Sequence, residues 1–209
     1  LNAGNFANGA GSLSYSISGT PNSSGTASFA ILIGGQSCAL DVTVDAAPLA
    51  IGDTHEGGII FYLDGNGGGL VAAPSNQTSE VWGCNGNTVG GTSTSFGTGS
   101  QNTITIINQF QTFLPSCGFP SAASVCQNLS LNGYNDWFLP SIDEFSLMYD
   151  NIGPGNALGL GNVGNFTLAG YWSSSEANVN DAHYFSFSLG GAYLSDKSNS
   201  LRVRAIREF

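Results

Sequence analysis

The residues best suited to catalysis or metal binding each lack a necessary partner. His55 and Glu56 begin like the HExxH motif of zinc proteases, but Ile59 stands where the second histidine is needed. The segment DGNGGG at 64–69 begins like a calcium loop, yet its twelfth position is Ser75 rather than a bidentate glutamate. A hairpin turn explains this segment better. We therefore expect no cofactor or metal, and calcium remains an alternative without a supporting motif.

Serine, histidine and carboxylate side chains do not form a catalytic motif either. The chain has no GxSxG elbow, and the spacing around His55 and His183 does not indicate a triad. Asp143 and Glu144 lie in the first turn of a predicted helix, where capping and a salt bridge explain them better than acid–base catalysis. We expect a protein that is not an enzyme.

The charge distribution excludes several classes of partner. The net charge is −10, and all four cations lie in the last 13 residues. Nucleic-acid binding needs a broad basic footprint, and anionic membranes attract basic segments, so we expect neither partner. No apolar run reaches the roughly 18–20 residues of a membrane span, and we expect no membrane insertion. A body rich in Asn, Ser and Gly and poor in Lys is typical of extracellular bacterial surface proteins.

The C-terminal arginines are scarce cations in a chain with fourteen carboxylates. Partly buried ion pairs are their expected role, and an anion-binding patch is the alternative. The residues concerned are Arg202, Arg204 and Arg207, with Asp136, Asp143 and Glu144 as expected partners.

The four cysteines indicate disulfides rather than a zinc site. None forms a CxxC pair, and the two histidines are far apart in the sequence. In an exported protein we expect one or two disulfides, whose pairing the sequence leaves open. Cys84, Cys117 and Cys126 are the candidates, and the state of Cys38 is not predicted.

Residues 1–46 differ from the rest of the chain. Alternating or continuous apolar residues predict three antiparallel strands at 12–18, 26–34 and 38–44. The phrase SGTPNSSGTASFAILIGGQSCALDVTV resembles the final strands of the immunoglobulin-like repeats of bacterial surface proteins. We interpret 1–46 as a partial immunoglobulin-like β module and 47–51 as a linker.

Residues 52–209 are predicted to form one compact α+β domain. A hairpin is predicted at 57–74, and the chain beyond 165 is predicted to be rich in strands. Helices are predicted at 102–113, 121–129 and 141–149. The first would place Ile104, Ile107, Phe110 and Phe113 on one helical stripe, and the third begins with a capping box formed by Ser141 and Glu144.

Three phrases carry a family resemblance. They are WGCNGNTVGG…GTGSQNT at 82–103, AASVCQNLSLNGYNDWFLPSIDEFSLMY at 122–149, and YWSSSE…VRAIREF at 171–209. Together they closely resemble the bacterial adhesin-type Lcl C-terminal domain. The resemblance implies a C-type-lectin-like fold, exposure on the cell surface and ligand binding without catalysis. The expected fold is thus a C-type-lectin-like domain preceded by a small antiparallel β segment.

The C-terminal segment also resembles the variable proteins of diversity-generating retroelements, in which fixed residues alternate with residues rewritten at adenines. Tyr171, Trp172, Ala182, Phe187 and Lys197 match fixed positions. An asparagine codon changed only at adenines cannot encode Lys, Gln, Glu, Met or Trp, and none of these occurs at the candidate variable positions. Those positions are 177–181, 184, 186, 188, 189, 191, 193–196 and 198–201, and the status of His183 stays open.

We therefore predict a binding face built from about 177–201. Its contacts are predicted to be Asn178, Asn180, His183, Tyr184, Ser186, Ser188, Tyr193, Ser195, Asp196 and Asn199. The predicted structural core includes Trp82, Trp137, Trp172, Phe187 and Arg204. The expected partner is a protein or glycan on another cell or surface. The alternatives are a lectin of fixed specificity and a structural subunit or cap of a surface filament, and homo-oligomers are compatible with either.

Overall fold

The chain divides into two compact units, Leu1–Pro48 and Leu49–Phe209. The structure, a computed structural model, describes residues 16, 18, 19, 23–33, 35–113 and 120–209. The predicted strand at 12–18 falls largely outside the described residues.

The first unit contains an antiparallel hairpin of strands β1 (Gly25–Ile33) and β2 (Gln36–Val44). Its register pairs Phe29 with Leu40 and Ile31 with Cys38. Because side chains alternate across a strand, one face of the hairpin is apolar. That apolar face consists of Ala27, Phe29, Ile31, Cys38, Leu40 and Val42.

The second unit is α+β, with two sheets and three helices among its described residues. Sheet one has the order β6-β10-β7-β8-β9, and sheet two has the order β11-β5-β4-β3. The strands are β3 (Thr54–His55), β4 (Gly58–Leu63), β5 (Gly69–Ala72), β6 (Ser79–Val81), β7 (Gly170–Glu176), β8 (Asp181–Ser186), β9 (Gly191–Asp196), β10 (Ser200–Arg202) and β11 (Ile206–Glu208). The helices are α1 (Gly99–Phe113), α2 (Ala122–Gln127) and α3 (Ile142–Ile152).

Capping explains where two helices begin. Ser141 precedes α3, and its hydroxyl accepts a hydrogen bond from the Glu144 amide while Glu144 accepts one from the Ser141 amide. Ser121 and Ser124 form the same reciprocal pair at the start of α2. The capping box predicted from the sequence is therefore confirmed at α3.

The predicted stripe of the first helix is buried only in part. Phe110 is buried, but Ile104 is 44% exposed, and the helix buries Thr103 and Ile106 instead. Asn102 is also buried, because its side-chain amide donates to the Ser93 carbonyl and to the Ser174 hydroxyl. These hydrogen bonds allow one polar side of α1 to face the core.

Large aromatic side chains fill two clusters in the second unit. Trp82, Trp137 and Trp172 belong to one cluster with the residues of α1 and α2. Phe187 belongs to the other, where it stacks on Phe166 with ring centroids 4.1 Å apart. All five of these side chains are at most 3% exposed, so they set the spacing between sheet and helices.

Two arginines are integrated into this core in different ways. Arg207 pairs with Asp136 through two hydrogen bonds of 2.7 and 3.0 Å and also bonds Glu56. Among the described residues, Arg204 has no carboxylate partner: it donates to the Ala73 carbonyl, among others, and lies over the Phe166 ring. Burial lowers the pKa of Arg204 to about 10.

The expected pairs with the helix α3 carboxylates are therefore wrong. Glu144 accepts backbone hydrogen bonds at 3.0 Å from Gly97 and 2.6 Å from Ser141, so its acceptor positions are used locally. Asp143 lies at the start of the same helix and its side chain is exposed.

The cysteines differ from the prediction at one position. Cys126 is a free thiol buried in α2, so it is wrong as a disulfide candidate. Burial against apolar neighbours raises the pKa of its thiol. Cys38 is free and exposed, Cys84 is not a free thiol, and Cys117 lies outside the described residues.

Within the described ranges, no helix has both the length and the apolar character that crossing a membrane requires.

Candidate ligand-binding surface

The predicted contact residues lie on the β8–β9 hairpin and on the turns beside it. β8 pairs with β7 on one side and with β9 on the other. β9 is the last strand of its sheet. We call the exposed part of residues 177–201 the hairpin surface.

An aromatic ladder crosses three neighbouring strands on one face of this sheet. Trp172 on β7 is opposite Tyr184 on β8, and Tyr184 is opposite Tyr193 on β9. Their ring centroids are 6.4 and 5.8 Å apart. Trp172 is fully buried and its indole N–H donates to the Glu80 carbonyl at 3.0 Å. The ladder therefore leads from an anchored core ring to Tyr193, which is 41% exposed.

The opposite face carries a different pair. His183 is opposite Leu194, which is 52% exposed. Partial burial lowers the pKa of His183, so the imidazole is neutral at pH 7 and can both donate and accept a hydrogen bond. The predicted contacts are thus divided between two faces, and a single flat ligand cannot reach Tyr193 and His183 equally.

The side chain of Asn178 stabilises the turn between β7 and β8. The Asn178 side-chain oxygen accepts hydrogen bonds from the amides of Asn180 and Asp181 at 2.8 and 2.9 Å. Its amide group donates to the Asp181 carboxylate at 3.1 Å. These bonds form an Asx turn, so Asn178 shapes the loop while Asn180 is exposed beside it.

The turn after β9 has a similar internal network. The Asp196 carboxylate accepts hydrogen bonds from the Ser198 hydroxyl and amide and from the Asn85 side chain at 2.7 Å. These donors lower the pKa of Asp196. Asn199 donates to the Ser195 hydroxyl at 3.0 Å. Asp196 is therefore a preorganised anion rather than a free surface carboxylate.

A buried lysine holds the two turns together. Lys197 is fully buried, and its ammonium donates to Glu176 at 2.5 Å and to the carbonyls of Asn87 and Val179 at 3.0 and 3.2 Å. It also lies 4.9 Å from the centre of the Trp82 ring. The site prediction did not include Lys197 or Glu176, although a single lysine in an otherwise lysine-free chain could have drawn attention to an ion pair.

One predicted contact residue is wrong as a surface residue. Ser186 is only 4% exposed, and it lies on the interior strand β8, opposite Gly170 on one side and Gly191 on the other. Its hydroxyl is 3.0 Å from that of Ser188 and accepts from the Leu189 amide. Ser186 therefore stabilises the turn, and Ser188 beyond it is exposed.

The remaining predicted contacts are accessible to different degrees. Exposed residues are Asn178, Asn180, Ser188, Tyr193 and Asn199; partly buried residues are His183, Tyr184, Ser195 and Asp196. The surface therefore offers a tyrosine ring, amides, hydroxyls and one carboxylate on a rigid hairpin. Such groups bind a ligand through contact area and hydrogen bonds.

Comparison with known proteins gives a family. Residues 75–207 match the Lcl C-terminal domain. The chain belongs to this family. The match includes the whole hairpin surface and both helices α1 and α3. No curated protein matches the chain.

The fold also resembles a solved structure, the crystal structure of a fimbrial protein from Bacteroides ovatus at 1.85 Å resolution. The two chains share 14% sequence identity with a TM-score of 0.52. The alignment covers 88% of this chain and 57% of that chain, so this Lcl-family chain spans little more than half of the fimbrial structure. At this identity the likeness is one of fold.

Proposed function

We propose that the protein is an extracellular bacterial surface protein of the adhesin type, whose Lcl C-terminal domain binds a protein or glycan ligand with the hairpin surface. The proposal assigns binding and no catalysis to this domain, and a C-type-lectin-like fold to the second unit. The observation that carries it is the aromatic ladder, because Tyr193 is exposed at the end of a series anchored by buried Trp172.

The chemistry of the surface supports this assignment. Tyrosine provides a large contact area at a small cost in conformational entropy, while Ser and Asn provide adaptable hydrogen bonds. Both kinds of residue are exposed on the hairpin surface. The acidic, lysine-poor composition and the fold likeness to a fimbrial protein support an extracellular location.

We further propose that the exposed positions of the hairpin surface are diversified while its buried positions are fixed. Ala182, Phe187 and Lys197 are at most 1% exposed and match fixed positions of the variable-protein pattern. Tyr193 and Asn199 are exposed, so replacing them leaves the core unchanged. Ser186, a variable position in the sequence-based interpretation, is expected to be fixed because it is buried.

The experiment that tests ligand binding screens the full chain on a printed glycan microarray and on immobilised extracellular-matrix proteins. Each screen is run with and without a calcium chelator, which separates a calcium-dependent lectin from the binding proposed here. Tyr193→Ala should abolish any binding detected. Leu158→Ala, which alters a residue 56% exposed outside the hairpin surface, is the matched control and should leave binding unchanged. Equal losses in both variants would contradict the assignment.

A structural filament subunit is the second candidate function. It is favoured by the apolar face of the β1–β2 hairpin, where Phe29, Leu40 and Val42 are between 37% and 42% exposed. Apolar sheet faces of this kind are usually covered by other strands. Light scattering of the full chain should show concentration-dependent assembly that Phe29→Ser with Leu40→Ser abolishes. A monomer at every concentration would exclude this candidate.

A further inference from the structure

A second concave surface lies in the same unit, on residues outside 177–201. It consists of two adjoining clefts of about 420 and 210 Å³ that share Tyr62 and Phe96. The rings of these two residues meet edge to face, with centroids 4.8 Å apart. We call this surface the aromatic cleft. Its other lining residues include Leu147, Phe209, Asp64, Asp143, Asp150 and Glu208.

The loop that carries the exposed Phe96 is hydrogen-bonded to α3 on both sides of this residue. The Phe96 side chain is 42% exposed, while the next residue, Gly97, donates its amide hydrogen to the buried Glu144 carboxylate at 3.0 Å. The Asp143 amide also donates to the Thr94 carbonyl at 3.2 Å, which fixes the other side of the loop to α3. Anchoring the loop in this way lowers the entropic cost of using the exposed ring as contact area.

The rim of the aromatic cleft is negatively charged. Asp143 and Asp150 are seven residues apart on α3, which places both on the same face of the helix. Asp64 and Glu208 line the neighbouring part. All four side chains are exposed, and no Lys or Arg lines either cleft. Two aromatic rings bordered by carboxylates are complementary to a cationic side chain with an apolar stem.

The chain itself has almost no cation to offer. Lys197, Arg204 and Arg207 are at most 6% exposed. Arg202 is half-buried on β10, between β6 and β7 in the sheet. A second copy of this chain is therefore a poor occupant of the aromatic cleft, and a cationic segment of a different protein fits it better.

We propose that the aromatic cleft binds a basic peptide segment of a partner protein, with a lysine or arginine side chain lying over the Tyr62–Phe96 pair and its charge paired with the carboxylates of the rim. This function is separate from the hairpin surface, because none of the cleft residues lies in 177–201.

The experiment measures fluorescence anisotropy of a labelled hexapeptide of alternating lysine and glycine, titrated with the full chain at about 0.15 M salt, where distant exposed charges are largely screened. Phe96→Ser leaves the net charge unchanged and should weaken binding about tenfold. Phe96→Leu, which keeps apolar volume but removes the aromatic face, should also weaken it. The same peptide with acetylated lysines should not bind.

A charge-matched pair of variants separates the cleft from general attraction to an acidic protein. Asp143→Asn with Asp150→Asn removes two carboxylates of the rim and should weaken binding about tenfold. Asp41→Asn with Asp45→Asn removes two exposed carboxylates outside the cleft and should change binding less than about twofold. Equal effects in the two double variants, unchanged binding by Phe96→Ser, or no peptide binding at all would overturn the proposal. The hairpin surface is intact in every variant, so its own binding test is unaffected.

Discussion

The β1–β2 and β8–β9 hairpins are similar in construction but differ in what they expose. In β1–β2 an apolar face remains accessible, with Phe29 and Leu40 opposite each other. In β8–β9 the apolar side chains Ala182 and Phe185 are buried, and Tyr193 is exposed together with Leu194 and neighbouring polar groups. The first hairpin is therefore suited to packing against other strands, whereas the second carries the mixed polar and aromatic surface that we propose binds a ligand.

The largest loss of stability should come from a substitution in the buried aromatic core next to the β8–β9 hairpin. Phe187→Ala removes a ring that stacks on Phe166 and contacts Tyr171 and Phe185. We expect a loss of about 3–5 kcal/mol in the free energy of unfolding. Phe29→Ala on the exposed β1–β2 face is the matched control and should change it by less than about 1 kcal/mol. Chemical denaturation measures both, and similar losses would break the distinction between the hairpins.

The next largest loss of stability should come from breaking the buried ion pair between Lys197 and Glu176. Lys197→Ala leaves Glu176 buried without its ammonium partner, and we expect a loss of about 3 kcal/mol. Lys197→Ala with Glu176→Gln should recover part of it, because the uncompensated charge is gone. Thermal unfolding of both variants checks this. If the double variant is less stable than Lys197→Ala, the ion pair is not the source of the effect.

Replacing the exposed end of the aromatic ladder should have little effect on stability. Tyr193→Ala removes a ring that is 41% exposed, so the free energy of unfolding should fall by less than about 1 kcal/mol. Trp172→Ala, at the buried end of the same ladder, should cost about 3–5 kcal/mol. Comparable losses at the two ends would show that Tyr193 is part of the core.

The smallest effect should be the pH dependence of the stability that the Asp196 hydrogen bonds contribute. Its hydrogen bonds lower the pKa of the carboxyl in the folded protein, so the stability they give is present above the ordinary value of 3.8 and is lost as the pH falls through the lower folded value. Asp196→Asn should remove this contribution. The difference in unfolding temperature between the wild type and this variant should therefore shrink as the pH falls below 3.8. A difference that grows on acidification would reverse the assigned direction.

Short sequence patterns predicted the elements whose structure is determined by residues close together in the sequence. The spacing of Ser141 and Glu144 predicted the start of α3, and alternating apolar residues predicted β1 and β2. Long-range hydrogen bonds explain the errors. Asn102 is buried because it reaches Ser174, 72 positions away in the sequence. Ser186 was predicted as a surface residue because the sequence does not show that its strand lies between β7 and β9 and that its side chain is buried there.

The hairpin surface and the aromatic cleft also differ in how far a local sequence pattern can reveal them. The hairpin surface lies within one continuous segment, so a pattern along the sequence is enough to propose it. Its division into two faces required the register that pairs Tyr184 with Tyr193 and His183 with Leu194. The aromatic cleft combines β4, the loop before α1, and α3, and no local pattern joins these segments.

Deep sequencing of the gene segment encoding residues 165–209, across a population of the source cells, tests whether the hairpin surface is diversified. A ligand-binding surface diversified on a fixed core predicts substitutions at exposed positions such as Asn180, Tyr193 and Asn199. It also predicts none at buried Ser186, Phe187 and Lys197. Substitutions spread equally over exposed and buried positions, or one invariant sequence in every cell, would contradict it.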